Sequence, residues 1–374
     1  MRIGILTFWK TEDNYGQLLQ CYATQTYLRS IGHETFLVKA INGRNYNPTL
    51  KEQFISKLRT AYRLRFYPIY LAKRAVKSLI YTMRHGRLKP EGIKRGFEEF
   101  RNQYLNCTES EYTLDDLIKN PPVADAFVVG SDQIWNTDDG IYFLSWADDK
   151  TKKISIAASF GAKNATKEFT NLIAPWLKRF DLITVRENSG VEICKEAGIR
   201  DVNLMPDPTL LLRDKDYLRI ASGPKVFEPY IFIYFLGTRT DINWKEIHQF
   251  AKRKGLKIIY VGSQGQEDKF PKVVPSIEGW LHLMANAEYV ITNSFHGTVF
   301  ALQFHKRFIV YPVKGAAQRM NGRLTTLLDP IGLSNRIYNG NLSVIDDEIN
   351  FQHVFEKIDE ATNFAKRIFN TVLE

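Results

Sequence analysis

Three cysteines in 374 residues are too few and too far apart for a disulfide framework. Cys21, Cys107 and Cys194 show no CxxC spacing, so they read as reduced thiols and not as a zinc site. Long apolar runs are also missing. The longest, Tyr230–Leu236, has the length of a strand and falls far short of a membrane span. The opening MRIGILTFW meets Lys10, Glu12 and Asp13 at once, which does not fit a signal peptide. The expected location is therefore cytoplasmic, with docking to the inner face of the cytoplasmic membrane as the one extension. Several catalytic signatures are absent: no GxGxxG follows the first strand, and there is no Walker loop, HExxH or GxSxG. The single Asp-x-Asp, Asp214-Lys215-Asp216, sits at a helix start and suits capping better than metal binding.

Charge is present but uneven. The formal net charge is +10, and Lys57–Arg95 holds twelve Lys/Arg against Glu91 alone. Tyr62, Phe66, Tyr67, Tyr70 and Tyr81 are interleaved with those cations. This composition fits peripheral contact with an anionic membrane surface, or else a solvated helical insertion. No nucleic-acid motif accompanies it, so no nucleic-acid partner is expected.

The chain length asks for two domains. Ile3–Phe8 reads as a strand and is followed by a helix from Asn14 to Ile31, with Gly32 as its stop. Thr35–Val38 is the next strand. The basic stretch, about 50–105, reads as a helical insertion. Strands return at Ala126–Val129, Ile154–Ala158 and Leu182–Val185, with helices over Lys167–Lys178 and Ser189–Ala197. Met205-Pro206-Asp207-Pro208 is a stiff break. Beyond it, strands at Ile231–Leu236, Lys257–Val261, Tyr289–Thr292 and Phe308–Tyr311 alternate with helices at Asn243–Lys254, Ile277–Asn286 and Gly297–Phe304. Strand–helix alternation implies parallel sheets covered on both faces. The expected class is α/β with two Rossmann-like lobes whose sheets face a cleft. An N-terminal lobe, on the acceptor side, takes residues 1–215. A C-terminal lobe takes 216–345, and a final helix takes 346–374.

In such folds ligands bind past the carboxyl ends of strands. Polar and small residues collect at those positions: Asn14 and Tyr15; Gly130–Asn136 (GSDQIWN), with Asp132, Gln133 and Trp135; Ser159; Arg186; and Asn293–Gly297 (NSFHG). A helix starting near Ser294 offers unpaired N–H groups and a positive dipole end, which suit phosphate or carboxylate. Gly297 permits close backbone approach, and His296 can exchange a proton near neutral pH. Without a ligand, Ser294 is simply a cap and His296 a half-buried histidine. Arg186 offers a planar fork for an anion, or a salt bridge to Glu187. Asp132 is a base, a sugar-hydroxyl ligand or a turn-former, and Trp135 stacks on a sugar or fills core.

These stretches together resemble the polysaccharide pyruvyl transferase family. The resemblance runs through DNYGQLLQCYA (Asp13–Ala23), VVGSDQIWN (Val128–Asn136), ISIAASFG (Ile154–Gly161), TVREN (Thr184–Asn188), DPTLLL (Asp207–Leu212) and ITNSFHGTVFAL (Ile291–Leu302). It implies two lobes like those of the glycosyltransferase type-B fold. It also implies transfer of pyruvate from phosphoenolpyruvate onto two hydroxyls of a sugar, as a cyclic ketal, with no cofactor or metal. The acceptor implied is a lipid-linked oligosaccharide or a polysaccharide repeat unit.

By the same resemblance the catalytic histidine falls on His296 and a donor-binding arginine on Arg186. A donor-contacting amide falls on Phe295, flanked by Ser294 and Gly297. Relatives with S-R-L-H-G carry a second arginine where this chain has Ser294. Lys314, Arg319 and Arg323 are the candidate replacements, with Arg323 preferred. Asn14, Tyr15, Gln133, Trp135 and Ser159 are expected on the acceptor side, and Asp132 is a second catalytic candidate. Two other readings stay open. One is a nucleotide-sugar glycosyltransferase of the same gross fold, which would release nucleoside diphosphate. The other is a non-catalytic glycan-binding relative.

Overall fold

The structure is a computed structural model that describes residues 1–41, 95–138, 140–237, 241–263, 270–314 and 321–374. The expected helical insertion lies for the most part outside the described residues. So do the membrane contact assigned to it and Arg319.

Among the described residues the N-terminal lobe opens with strand β1 (Arg2–Leu6), helix α1 (Tyr15–Ser30) and strand β2 (Glu34–Ala40). Helix α2 (Phe97–Tyr104), strand β3 (Cys107–Tyr112), helix α3 (Leu114–Lys119) and strands β4 (Ala126–Val129) and β5 (Lys152–Ser155) follow. The sheet order is β3-β2-β1-β4-β5, with every pairing parallel. Sequence periodicity did not mark β3 or α3. The β3 sequence CTESEY is polar because the strand sits at the sheet edge, where no apolar face is demanded. Helices α4 (Lys167–Leu177) and α5 (Asn188–Glu196) flank a short parallel pair, β6 (Thr184–Val185) with β7 (Asn203–Leu204). Bridges Ile154–Leu182 and Ala158–Val185 attach this pair to the β5 side.

The chain then passes through helix α6 (Asp214–Leu218). The expected boundary at 215/216 falls inside α6, which touches both lobes. The Tyr22 hydroxyl donates to the Asp216 carbonyl at 3.3 Å, and the Tyr217 ring meets Phe300 edge-on at 4.7 Å. The C-terminal lobe holds β8 (Tyr230–Tyr234), α7 (Trp244–Lys254), β9 (Lys257–Val261), α8 (Ile277–Ala285), β10 (Tyr289–Thr292), α9 (Phe295–Gln303), β11 (Arg307–Val310) and α10 (Gly322–Leu328). Its sheet runs β11-β10-β8-β9, again fully parallel. The two parallel sheets expected from strand–helix alternation are both present.

Helix α1 explains how the lobes hold together. Eleven of its sixteen residues are buried, more than one core-facing stripe accounts for. Its inner face packs on β2, and its outer face meets the other lobe. The Tyr15 ring stacks on Trp280 at 5.5 Å, and the Tyr15 hydroxyl donates to the Pro275 carbonyl at 2.7 Å. One continuous apolar core therefore includes Ile5 and Leu19 from one lobe with Phe232, Trp280 and Val299 from the other.

The last helix, α11 (Phe351–Leu373), adds a strap. His305 packs against Phe351 and Phe355 at its start, and Tyr27 lies against Phe369 near its end. Lys152 donates to the Val372 carbonyl at 2.6 Å, and Arg213 pairs with Asp359. Among the described residues no helix is long and apolar enough to cross a membrane.

Candidate active site

Four chain segments meet where the two lobes touch. The first is the turn after β10, where Ser294 caps α9 by accepting from the Gly297 N–H at 3.2 Å. The Thr298 N–H donates to the Ser294 carbonyl at 3.0 Å. The Phe295 and His296 N–H groups are left as first-turn donors that the helix itself does not use. His296 is 5% exposed. Gly297 is required for a reason other than ligand approach. A Cβ there would lie 2.4 Å from the Thr292 hydroxyl oxygen, so the turn is closed against its own strand.

The second segment is α1. A Cβ on Gly16 would fall 2.3 Å from His296 Cγ and 2.4 Å from Nδ1. Glycine at the first turn of α1 is thus what allows the imidazole to seat between two helix N-termini.

The third segment is the end of β6. Arg186 is 4% exposed and Glu187 2% exposed. Glu187 Oε1 accepts from the Ser159 hydroxyl at 2.8 Å and from the Phe160 N–H at 3.1 Å. Glu187 Oε2 stands 3.9 Å from Arg186 Nε, and Asp132 Oδ1 stands 3.9 Å from Arg186 Nη2. Asp132 adopts φ +69° and accepts from the Gln133 N–H at 2.8 Å. Asp is one of the few side chains that tolerate this backbone region.

The fourth segment, DPTLLL, is part of the sequence resemblance, but no site role for Asp207 is legible there. Asp207, between two prolines, is 1% exposed and sits at the centre. Its Oδ1 accepts from the Thr209 N–H at 3.0 Å and the Thr209 hydroxyl at 2.7 Å. Its Oδ2 accepts from Arg186 Nη1 at 2.7 Å and the Ser131 hydroxyl at 2.7 Å. His296 Nε2 faces the same Oδ2 at 3.5 Å, an ion-pair separation and not a formed hydrogen bond.

Burial alone would push the Asp207 carboxyl up. The His296 and then the Arg186 charges, with the Thr209 hydrogen bond, outweigh it and hold the carboxyl well below the usual carboxylate range. Burial also opposes the Arg186 charge, but Asp207, Glu187 and Asp132 raise its pKa above the ordinary value.

Two guanidiniums share one aromatic ring. Arg186 lies over Phe295 at 4.6 Å and Arg323, on α10, at 5.7 Å. Arg323 keeps some solvent exposure as a residue. Burial of its charged group, and then repulsion from Arg186, still hold its pKa down to about 10. With its amide oxygen turned inward, Gln133 accepts from both terminal nitrogens of Arg323 at 3.1 and 3.3 Å. Lys314 instead pairs with Asp241 at 2.6 Å.

The structure therefore brings His296, Arg186, Asp132, Phe295, Gln133 and Arg323 together around Asp207 and Glu187. Three acceptor-side expectations are corrected. Trp135 is fully buried, stacks on Phe143 at 5.5 Å and donates its indole N–H to the Tyr142 carbonyl. It fills core, because the turn folds back on the lobe and leaves no face for a sugar. Ser159 is fully buried and spends its hydroxyl on Glu187, so it supports the site from behind. Tyr15 is committed to Trp280 and Pro275 and joins the lobes. Asn14 stays partly exposed and makes no capping bond through its side chain. Ser294 is the cap of α9. Among the described residues no group of three His, Cys, Asp or Glu side chains can hold a metal ion.

Several solved structures are similar in overall shape. A UDP-GlcNAc 2-epimerase from Methanocaldococcus jannaschii aligns over 97% of this chain and 93% of its own, at 12% identity and TM-score 0.45. An alpha-glucosyltransferase in complex with UDP and DNA aligns over the full length of both chains at 10% identity and TM-score 0.46. An E. coli heptosyltransferase aligns over 96% of this chain and 99% of its own, at 11% identity and TM-score 0.39. At these scores the likenesses add nothing to the fold already read from strand order. No curated protein sequence matches the chain. A family model described as polysaccharide pyruvyl transferase matches residues 14–315, which take in the four segments above but not Arg323 on α10. The chain belongs to the polysaccharide pyruvyl transferase family, and is a transferase.

Proposed function

We propose that the protein moves the pyruvyl group of phosphoenolpyruvate onto a sugar of a cell-surface polysaccharide or its lipid-linked precursor, as a cyclic ketal. One observation carries the reading. Arg186 Nε and Nη2, Glu187 Oε2 and His296 Nε2 are all buried without a hydrogen-bond partner, and all belong to one cluster at the N-terminus of α9. Buried polar atoms are nearly always satisfied, so such a cluster is built for a polar ligand.

The chemistry follows from the charges. Phosphoenolpyruvate brings a carboxylate and a phosphate. Arg186, Arg323 and the first-turn N–H groups of α9 are the groups that neutralise them. Arg323 supplies the second cation in place of the arginine that S-R-L-H-G relatives carry where this chain has Ser294. Protonated His296 delivers a proton to the methylene carbon. The carbon–carbon double bond becomes a methyl group beside an oxocarbenium-like centre. A sugar hydroxyl adds there and gives its proton to Asp132, which is part-exposed and stands 3.9 Å from Arg186. A second hydroxyl then attacks the same carbon, returns its proton to the now neutral His296, and displaces the phosphate, which leaves with the electron pair of its bond. Acid catalysis of this kind is typically worth about 10²–10⁴-fold.

The acceptor is proposed to arrive at the inner face of the cytoplasmic membrane, where the Lys57–Arg95 charge would meet anionic headgroups. Incubation with phosphoenolpyruvate and a panel of lipid-linked saccharides, followed by weighing the products, tests the reading. A product heavier by one pyruvyl ketal, with stoichiometric phosphate, supports it. Release of a nucleoside diphosphate from a nucleotide sugar, with phosphoenolpyruvate untouched, replaces it with the glycosyltransferase reading.

A further inference from the structure

We infer that Asp207 is the positioning residue of the site, fixing His296 and Arg186 relative to each other across the two lobes. This rests on the reading above in which those two groups act on the donor. Asp207 itself is too enclosed to meet a substrate.

The carboxylate is used asymmetrically. Both groups on Oδ1 come from Thr209, two residues away, and lock the carboxylate plane. Every longer-range partner converges on Oδ2: Arg186 Nη1 at 2.7 Å, Ser131 Oγ at 2.7 Å and His296 Nε2 at 3.5 Å. Arg186 belongs to the N-terminal lobe and His296 to the C-terminal lobe. One oxygen is therefore the shared reference point for a donor-binding cation and a proton donor from different lobes.

The other face of the imidazole is set by Gly16, with no room for a Cβ. Of the remaining charged groups, Arg323 feels the carboxylate, and Glu187 and Asp132 act on the two arginines. Tyr217 also packs close, and the negative charge of Asp207 is one cause of its raised pKa. Glu187 and Asp132 reach Arg186 only at 3.9 Å, so neither replaces the 2.7 Å contact. An Asn at 207 would keep the shape and the Thr209 anchor while removing the charge that draws both cations.

Asp207→Asn is compared with the wild type in two measurements. In the donor-free protein, imidazole nitrogen NMR signals are recorded, with that of His296 identified by its loss in His296→Gln. Steady-state kinetics with phosphoenolpyruvate and the acceptor give kcat and KM separately. Positioning requires a displaced His296 signal, kcat at least tenfold lower and donor KM at least tenfold higher, at an unchanged acceptor KM. A merely structural role would lower the active fraction alone, leaving the His296 signal and donor KM of the folded molecules as in the wild type, and would overturn the inference. Thr209→Val, which loosens the anchor and keeps the charge, should shift the same observables less, and covers the case in which Asp207→Asn does not fold. If the wild type does not consume phosphoenolpyruvate, the donor assignment fails, and the His296 signal still decides whether Asp207 positions the imidazole.

Discussion

Gly16 and His296 touch across the two lobes so closely that a single methyl on Gly16 would overlap the imidazole, at 2.3 Å from Cγ. The two sequence stretches DNYGQ and NSFHG, some 280 residues apart, are thereby halves of one contact. Gly16→Ala should displace the ring or part the helices. Overpacking of this kind costs about 1–3 kcal/mol. Turnover should fall more than tenfold while secondary structure, followed by circular dichroism, is kept. Wild-type kcat in Gly16→Ala would show that the imidazole position does not matter.

The Asp207 carboxyl gives a pH signature of stability. Its folded pKa lies well below the ordinary value of about 3.9, so its contribution is complete above that value and is lost as pH falls through the folded value. Urea unfolding between about pH 5 and pH 2 should show the wild type losing stability more steeply than Asp207→Asn. Near pH 7 the variant should be less stable by about 3 kcal/mol or more, because Arg186 is left buried without its closest counter-charge. Parallel pH curves for the two proteins would count against a depressed Asp207.

Arg323 is the proposed second cation. Losing a hydrogen bond to a charged group costs about 1.5–3 kcal/mol. Arg323→Ala should therefore raise donor KM roughly tenfold to a hundredfold, with melting temperature little changed because relief of the repulsion with Arg186 offsets the lost Gln133 contacts. Lys314→Ala, which breaks only the exposed pair with Asp241, should leave donor KM as in the wild type. The reverse pattern would move the second cation to Lys314.

Trp135 separates a packing role from a binding role. Trp135→Ala should destabilise the N-terminal lobe by about 3–5 kcal/mol, as large-to-small core changes do. In the fraction that stays folded, acceptor KM should be unchanged. A raised acceptor KM without loss of stability would restore the sugar-stacking expectation.

The sequence carried the local features of the site well and the long-range ones poorly. Strand β10 and helix α9 are legible because three apolar residues and a β-branched threonine run into a capping serine and a glycine, signals contained within ten positions. Arg186 stood out because a charge directly followed an apolar strand. Asp207 carries no local mark of a site residue, because an aspartate between prolines reads as a turn. Its partners Arg186 and His296 lie 21 and 89 positions away, and nothing local announces them. A lone acid inside DPTLLL, flanked by apolar residues that become core, was the one available signal. Trp135 and Ser159 were placed on the right turns but on the wrong faces. Position after a strand fixes where a residue lies along the sheet edge, and the fold of the turn decides whether it faces ligand or core.

Phosphate release from phosphoenolpyruvate by the wild type and by His296→Gln tests the central claim most directly. Both proteins would be assayed with the same lipid-linked acceptor, and their folding matched by thermal melting. The wild type should release phosphate in an acceptor-dependent way, and the variant should lose at least about 10²-fold, the lower end of what positioned acid catalysis supplies. Near wild-type release from a folded His296→Gln protein would contradict it.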